Sequence, residues 1–399
     1  MTYAAHRRII DADSHVIELD DFLSRFADPA DRALIPPMDA QTELPVVPEG
    51  LARGRELFAR RQSDPETMAK FEAQLLDARR SGWNRIGAFD PQERSHCLDL
   101  LGFDMQLILP TFSFHQIAHC KQPPVLEAGA RTLNRAMGAF CAHDSRLRAI
   151  GYIPLSLGPE VAAALMDQGF GEGCYSFMVD TNEPDPSARS FTHPDFDPVW
   201  ARFEDAGAPF VVHIAVNGHY QAISPSFQNN GLASTGPSSD APSGALGMVA
   251  IKNSAELFLS AMIFDGVFER FPELRGISME HGSVWLPSWL QAIDAAARAL
   301  KNQQPELADR ELRPSEVVRR SLRFAPFAGE PLGWIIENVG PELLVFGSDY
   351  PHPEGTSNPI ERFEATLTNC DQATLDAFYY GNMEAVMGEA IVSGSEPGR

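Results

Sequence analysis

Eight short apolar runs recur along this 399-residue chain, and four of them stop on an ionisable side chain. They read RIIDADSH (8–15), DMQLILP (104–110), AIGYIPL (149–155), SFMVD (176–180), PFVVHIA (209–215), RGISMEH (275–281), SLRFAP (321–326) and ELLVFGSD (342–349). Runs with so little polar alternation suit strands buried on both faces, as in a parallel sheet covered by helices. Helical stretches lie between them. Residues 252–271 set Leu257, Ala261, Phe264 and Phe268 three and four apart, with Pro272 just beyond. Residues 283–301 repeat the pattern through Leu286, Leu290, Ile293 and Ala297. Residues 159–169 and 194–207 read as shorter helices closed by Gly169 and Gly207. Eight strands alternating with helices predict an α/β fold, a (β/α)8 TIM barrel, as one domain over residues 1–390. An open doubly wound sheet is the alternative.

Two segments exceed what a barrel needs. Residues 20–95 form an insertion after strand 1, with a Pro-rich stretch (35–50) and a charged, helix-like run (51–80). Residues 216–250 are rich in Gly, Ser, Asn and Pro and follow strand 5, so this long loop is a candidate lid. The tail 391–399 reads as flexible. Acidic residues outnumber basic ones 54 to 32, for a formal charge of −22, which argues against nucleic acid and anionic membrane surfaces as partners. No run approaches 18 uninterrupted apolar residues, so no spanning helix is predicted. The N-terminus lacks the apolar centre of a signal peptide, and the five cysteines are scattered with no CxxC pair. Reduced thiols and a cytoplasmic location are the expectation. GxGxxG after a strand, GxxxxGK[ST] and GxSxG are all missing from the sequence, which removes support for nicotinamide, ATP and serine-hydrolase chemistry.

The strand ends carry the chemical signal. Alternation turns Asp13 and His15 to one side of strand 1, with Asp11 one pleat deeper. Strands 5, 6 and 8 finish on His213, His281 and Asp349. An ionisable group at the end of an apolar strand is costly unless paired, hydrogen-bonded or ligating. The C-terminal ends of barrel strands converge on the face where barrel active sites lie. Asp13, His15, His213 and Asp349 are therefore read as ligands of one divalent metal ion, zinc first, with manganese, magnesium or iron as alternatives. His281 is the candidate proton shuttle, because imidazole titrates near neutral pH, and Asp349 is the second.

Other residues have weaker claims. Glu18 and His352 follow the metal motifs and could orient the ligands. His115 and His119 follow strand 2 and share a face if that loop is helical; Asn217 and His219 sit in the candidate lid. All four are candidates for substrate contact. Arg94 and Arg323 could clamp a substrate carboxylate. Glu280 precedes His281, so alternation turns it away from the site, as a structural residue. Trp285 and Trp289 read as core.

The stretches IIDADSHVIE, VVHIA, MEHG, FGSDYPHPEG and YYGNMEAVMG resemble the amidohydrolase superfamily, in the branch related to aminocarboxymuconate-semialdehyde decarboxylase. GAFDPQERSHCLDLLGFDMQLILPTF (87–112) and HPDFDPVW (193–200) resemble the same branch. The resemblance implies that Asp13 and His15 replace the usual HxH or ExH pair, that His213 and Asp349 are further ligands, and that His281 is a general acid/base. Aspartate in place of histidine adds a negative ligand, which moves metal preference from zinc toward manganese or magnesium. No strand-end lysine is available to bridge two ions, so the site is expected to be mononuclear. The resemblance further implies a homodimer and a small carboxylated substrate. It favours decarboxylation of an aromatic or muconate-like acid; hydrolysis of an amide, ester or lactone by metal-bound hydroxide is the alternative. A barrel that binds a ligand without catalysis is the reading from outside enzymology.

Overall fold

All but the last of the apolar runs are strands of one parallel sheet. A computed structural model describes residues 2–38, 48–77, 82–183, 185–214, 223–231, 244–307, 310–352 and 357–388. The strands are β1 (Ile10–His15), β2 (Met105–Leu109), β3 (Leu147–Ile153), β4 (Cys174–Val179), β5 (Phe210–Val212), β6 (Gly276–Ser278) and β7 (Leu322–Phe324). They lie side by side in chain order, each parallel to the next, with helices in the crossovers. This is the strand order of a TIM-barrel-like α/β fold. Nearly every strand residue is buried, as the unbroken apolar runs require.

The eighth run departs from the expectation of a regular strand. Residues 344–350 meet both edges of the sheet through single bridges, Leu344 with Phe324 of β7 and Tyr350 with Ser14 of β1. Backbone bonds from Val345 N–H to Phe324 O (3.0 Å) and from Ala12 N–H to Phe346 O (2.9 Å) join the same three segments. The regular ladder fails for two local reasons. Asp349 adopts a left-handed backbone, with φ +54°. In addition, Ser348 N–H is divided between the buried Asp11 carboxylate (2.8 Å) and the Asp13 carbonyl (3.2 Å), and Ser348 Oγ–H also donates to Asp11 (2.6 Å), so pairing with β1 is irregular here. Gly347 is required in this segment, because a Cβ there would lie 2.8 Å from the Cβ of Asp13.

Two helix expectations also change. The run 252–271 is two helices, Asn253–Phe264 and Val267–Arg270, separated at Gly266 (φ +74°). Its buried face is Ala255, Phe258, Leu259, Met262 and Ile263, while Leu257 is 62% exposed. The helix is apolar almost all round, so the spacing of its apolar residues does not select a face. The helix Pro159–Gly171 runs past Gly169, which lies inside it against Phe177 and is not its cap. Gly207 does close Asp197–Ala206 in the left-handed conformation, and Leu286, Leu290, Ile293 and Ala297 are the buried stripe of Leu286–Leu300. Residues 244–264 are long and apolar enough to cross a membrane by composition. In the structure they are two helices, Gly244–Ala250 and Asn253–Phe264, and the second packs into the core.

Between β1 and β2 the described residues carry helices Phe22–Phe26, Pro48–Ser63, Pro65–Glu72 and Pro91–Leu101. Asp90 caps the last of these by accepting from Glu93 N–H (2.8 Å), with Pro91 in its first turn. Arg61 grips the Glu93 carboxylate with two bonds of 2.8 Å, both partners buried, which ties this region to the barrel wall. Of the candidate lid, only 223–231 and 244–250 are described; Asn217, His219 and the tail 391–399 lie outside the described residues.

Candidate metal centre

The C-terminal ends of β1, β5 and β6 and the segment after β7 aim their ionisable side chains at one point. Asp13 Oδ1 lies 3.2 Å from His15 Nε2 and 3.8 Å from His213 Nε2. His15 Nε2 lies 3.7 Å from Asp349 Oδ1. Donor atoms bonded at about 2.1 Å to one ion must sit roughly 3–4 Å from one another, so these separations fit a shared ion. Asp13, His15 and His213 form one group whose donor atoms all lie within 4.8 Å; His15, Asp349, His352 and Glu280 form a second. Asp13 Oδ1, His15 Nε2, His213 Nε2 and His281 Nε2 are buried and have no hydrogen-bond partner among the described residues. Buried polar atoms in that state are expensive unless a cation or proton satisfies them.

Hydrogen bonds on the outer side of each ring fix which nitrogen faces the centre. His213 Nδ1 is 2.9 Å from the carbonyl of Ile214. A carbonyl only accepts, so Nδ1 carries the proton and Nε2 presents a bare lone pair inward. Thr111, just past β2, places its hydroxyl 3.3 Å from His15 Nδ1 and 2.8 Å from His352 Nε2. Accepting from His15 Nδ1–H, this hydroxyl leaves His15 Nε2 bare as well. The His15 and His352 rings lie with centroids 4.1 Å apart, and His352 Nδ1 is 3.4 Å from Asp349 Oδ1. Asp349 N–H donates to the carbonyl of Asp13 at 2.8 Å, which locks the left-handed turn carrying its carboxylate.

Burial dominates the electrostatics. It pushes His15 down to about 4, helped by the charges of His352 and His213 and opposed by Asp13, so the ring is neutral at neutral pH. His281 falls to about 3 for the same first reason, and its Nδ1 lies 3.0 Å from Ser278 Oγ. Burial raises Asp13, but the close approach of His15 and the charges of His213, His15 and His352 outweigh it, and its carboxyl ends below the usual range. His15 therefore offers a neutral imidazole and Asp13 an ionised carboxylate, the protonation states that metal binding needs.

Glu18 is buried rather than solvated. Its carboxylate accepts from Thr111 N–H (2.9 Å), Phe112 N–H (2.8 Å) and the Ser113 hydroxyl, so it holds the turn that carries Thr111. Burial raises its pKa against those same bonds. Residues 112–118 are helical, and His115 Nδ1 meets His119 Nε2 at 3.1 Å, so these two histidines do share a face. Both arginines are engaged by carbonyls of the chain itself. Arg94 is fully buried and donates to Gly87 O (2.7 Å), Ser14 Oγ (2.9 Å) and the carbonyl of His15, which pins the end of β1. Arg323 donates to the carbonyls of Arg319 and Leu322. Trp285 and Trp289 are buried with ring centroids 5.1 Å apart, as core residues.

Glu280 is the residue that sequence reasoning misplaced. It does not turn away: Glu280 Oε2 lies 3.4 Å from His213 Nε2. β6 ends at Ser278, and Glu280 takes a left-handed backbone (φ +57°), so strand alternation no longer applies there. The following glycine, Gly282 (φ +64°), was the available sign that the chain turns at this point.

Comparison with known families completes the description. A model of the family described as amidohydrolase matches residues 10–388, nearly the whole chain. The chain belongs to the amidohydrolase family. Among solved structures, an amidohydrolase from Mycobacterium avium subsp. paratuberculosis K-10 superposes with a TM-score of 0.69 at 21% identity, covering 96% of this chain and 100% of that one. The 5-carboxyvanillate decarboxylase of Sphingomonas paucimobilis gives 0.61 at 18% identity, over 95% and 98% of the two chains. A dihydroxybenzoic acid decarboxylase from Polaromonas sp. JS666, solved with manganese and the inhibitor 2-nitroresorcinol, gives 0.60 at 15% identity, over 96% and 97%. At these identities the likeness establishes the fold.

Proposed function

We propose that this amidohydrolase is a metal-dependent decarboxylase of a small aromatic acid that carries a hydroxyl beside its carboxylate. The observation that carries the reading is the convergence of buried, ion-ready donors from Asp13, His15, His213 and Asp349 at one end of the sheet, with His281 beside them. Decarboxylases of 5-carboxyvanillate and dihydroxybenzoate share the fold, and three such structures hold manganese, which supports manganese over zinc as the resident ion. When bound, a divalent ion supplies a positive anchor for the carboxylate and its neighbouring oxygen.

The chain's own groups do the rest. Asp349 delivers a proton to the ring carbon that bears the carboxylate. The carbon–carbon bond then breaks, its electron pair restores the ring, and carbon dioxide leaves. The delivered proton stays on the ring carbon of the product, so His281, held neutral by burial with Ser278 at its far nitrogen, relays a replacement proton from solvent to Asp349 before the next turnover. Burial of Asp13, His15, His213 and His281 keeps water from screening these charges.

The test is carbon dioxide release by the manganese-loaded protein from a panel of ortho-hydroxybenzoates, with lactones and anilides as the hydrolase control. Turnover of the benzoates supports the reading. Turnover of lactones or anilides alone overturns it.

A further inference from the structure

Glu280 and His213 face each other at the separation of two ligands on one ion. The bond from His213 Nδ1 to Ile214 O places that ring's proton on Nδ1, so Nε2 is bare. A carboxylate oxygen, Glu280 Oε2, stands 3.4 Å from that bare nitrogen. Two lone-pair acceptors at this distance in a buried site repel unless positive charge lies between them. A Glu280 carboxylate oxygen also lies within 4.8 Å of donor atoms on His15, Asp349 and His352. It reaches this place only because Glu280 adopts φ +57°, a conformation that costs a non-glycine residue on the order of 1–3 kcal/mol and that clusters where function needs it. Met279 N–H, bonded to Val212 O at 2.9 Å, anchors the backbone immediately before the turn.

We propose that Glu280 is itself a metal ligand. It completes a set of three carboxylates (Asp13, Glu280 and Asp349) and two imidazoles (His15 and His213) that selects a hard divalent ion such as manganese over zinc. The proposal rests on the metal-site reading above and extends it. Three carboxylates give the first coordination sphere a formal charge of −3 around a +2 ion. Five donors, three of them oxygen, suit an ion that takes six ligands and favours oxygen, whereas zinc settles with four donors rich in nitrogen or sulfur. A carboxylate contributed by a left-handed residue after β6 also explains why the chain keeps a strained backbone next to His281.

The experiment measures manganese and zinc affinity by chelator competition on the full-length protein, wild type against E280Q and E280N. Asparagine tolerates the left-handed backbone, so the second variant separates loss of a ligand from loss of the turn. Manganese affinity is expected to fall at least about tenfold in both variants and zinc affinity by less, so that the manganese-to-zinc preference drops. Manganese binding by E280Q within twofold of wild type overturns the assignment of Glu280 while leaving the metal site standing. Failure of the wild type to bind either ion overturns both. If neither variant folds, crystals of the native protein soaked in manganese decide. An anomalous peak about 2.2 Å from a Glu280 carboxylate oxygen supports the assignment. A peak bonded only to the other four side chains overturns it.

Discussion

Thr111 touches no reacting atom in this reading, yet it should control how tightly the site holds its ion. Its hydroxyl is shared by His15 Nδ1 (3.3 Å) and His352 Nε2 (2.8 Å), and its backbone N–H is held by Glu18 at 2.9 Å. Thr111→Val keeps the shape of the side chain and removes that hydroxyl. The His15 ring then loses the acceptor that keeps its proton on Nδ1, and either tautomer becomes accessible. Taking a partner from a buried polar group costs about 1–3 kcal/mol, and the long His15 contact belongs at the low end of that range. Removing a group that orients a metal ligand typically costs 10–100-fold in affinity, about 1.4–2.7 kcal/mol, so the two estimates agree. Chelator competition with manganese measures the effect, and Thr111→Ser, which restores the hydroxyl, should recover most of it. Affinity of Thr111→Val within twofold of wild type, or a serine variant no better than valine, would show that the hydroxyl does not set the tautomer.

Three further outcomes are expected. Asp13→Ala should leave purified protein with substoichiometric metal by elemental analysis, since it removes an ionised carboxylate 3.2 Å from His15 Nε2; full occupancy would remove Asp13 from the ligand set. His281→Asn should keep its metal and lose roughly 100-fold or more in turnover, the usual scale of a positioned acid or base; metal loss instead would make His281 a ligand. Asp180, at the end of β4, is pushed up to about 7 by burial, against hydrogen bonds from Tyr152 Oη–H (2.7 Å) and Ser156 N–H (3.2 Å). Between pH about 4 and 7 the unfolded chain has released this proton while the folded one retains it, so this group's contribution to stability falls as pH rises through that window and is flat above it. Thermal midpoints across pH 4–8 should show that decline in the wild type and a shallower one in Asp180→Asn; equal slopes would refute it.

The strands were legible because each parallel strand is covered on both faces, and a covered strand has no polar residue to interrupt it. Asp13, His15, His213 and Asp349 were legible for the complementary reason: each is an ionisable group stranded at the end of such a run. Four features escaped. The segment 342–349 has the composition of a strand, but the Asp11 side chain shares Ser348 N–H with a β1 carbonyl and Asp349 inverts its backbone, features that the apolar pattern does not encode. The face of the helix Asn253–Phe264 was hidden because apolar residues surround it. Glu280 was lost because alternation was counted two residues past the end of β6, across a backbone inversion. Thr111 carries no charge and lies far in sequence from the histidines it holds, so only the fold could reveal it.

The Asp11–Ser348 stitch has a bearing on how the molecule is made. It fastens the first strand to a segment more than three hundred residues later, and Asp13 and Asp349 hang on either side of that seam. A ribosome-bound chain therefore carries only part of the proposed metal site until residue 350 has emerged and the two ends have met. Any shortened product that stops before that join would retain the β1 pair and His213 yet lack the carboxylate that faces them.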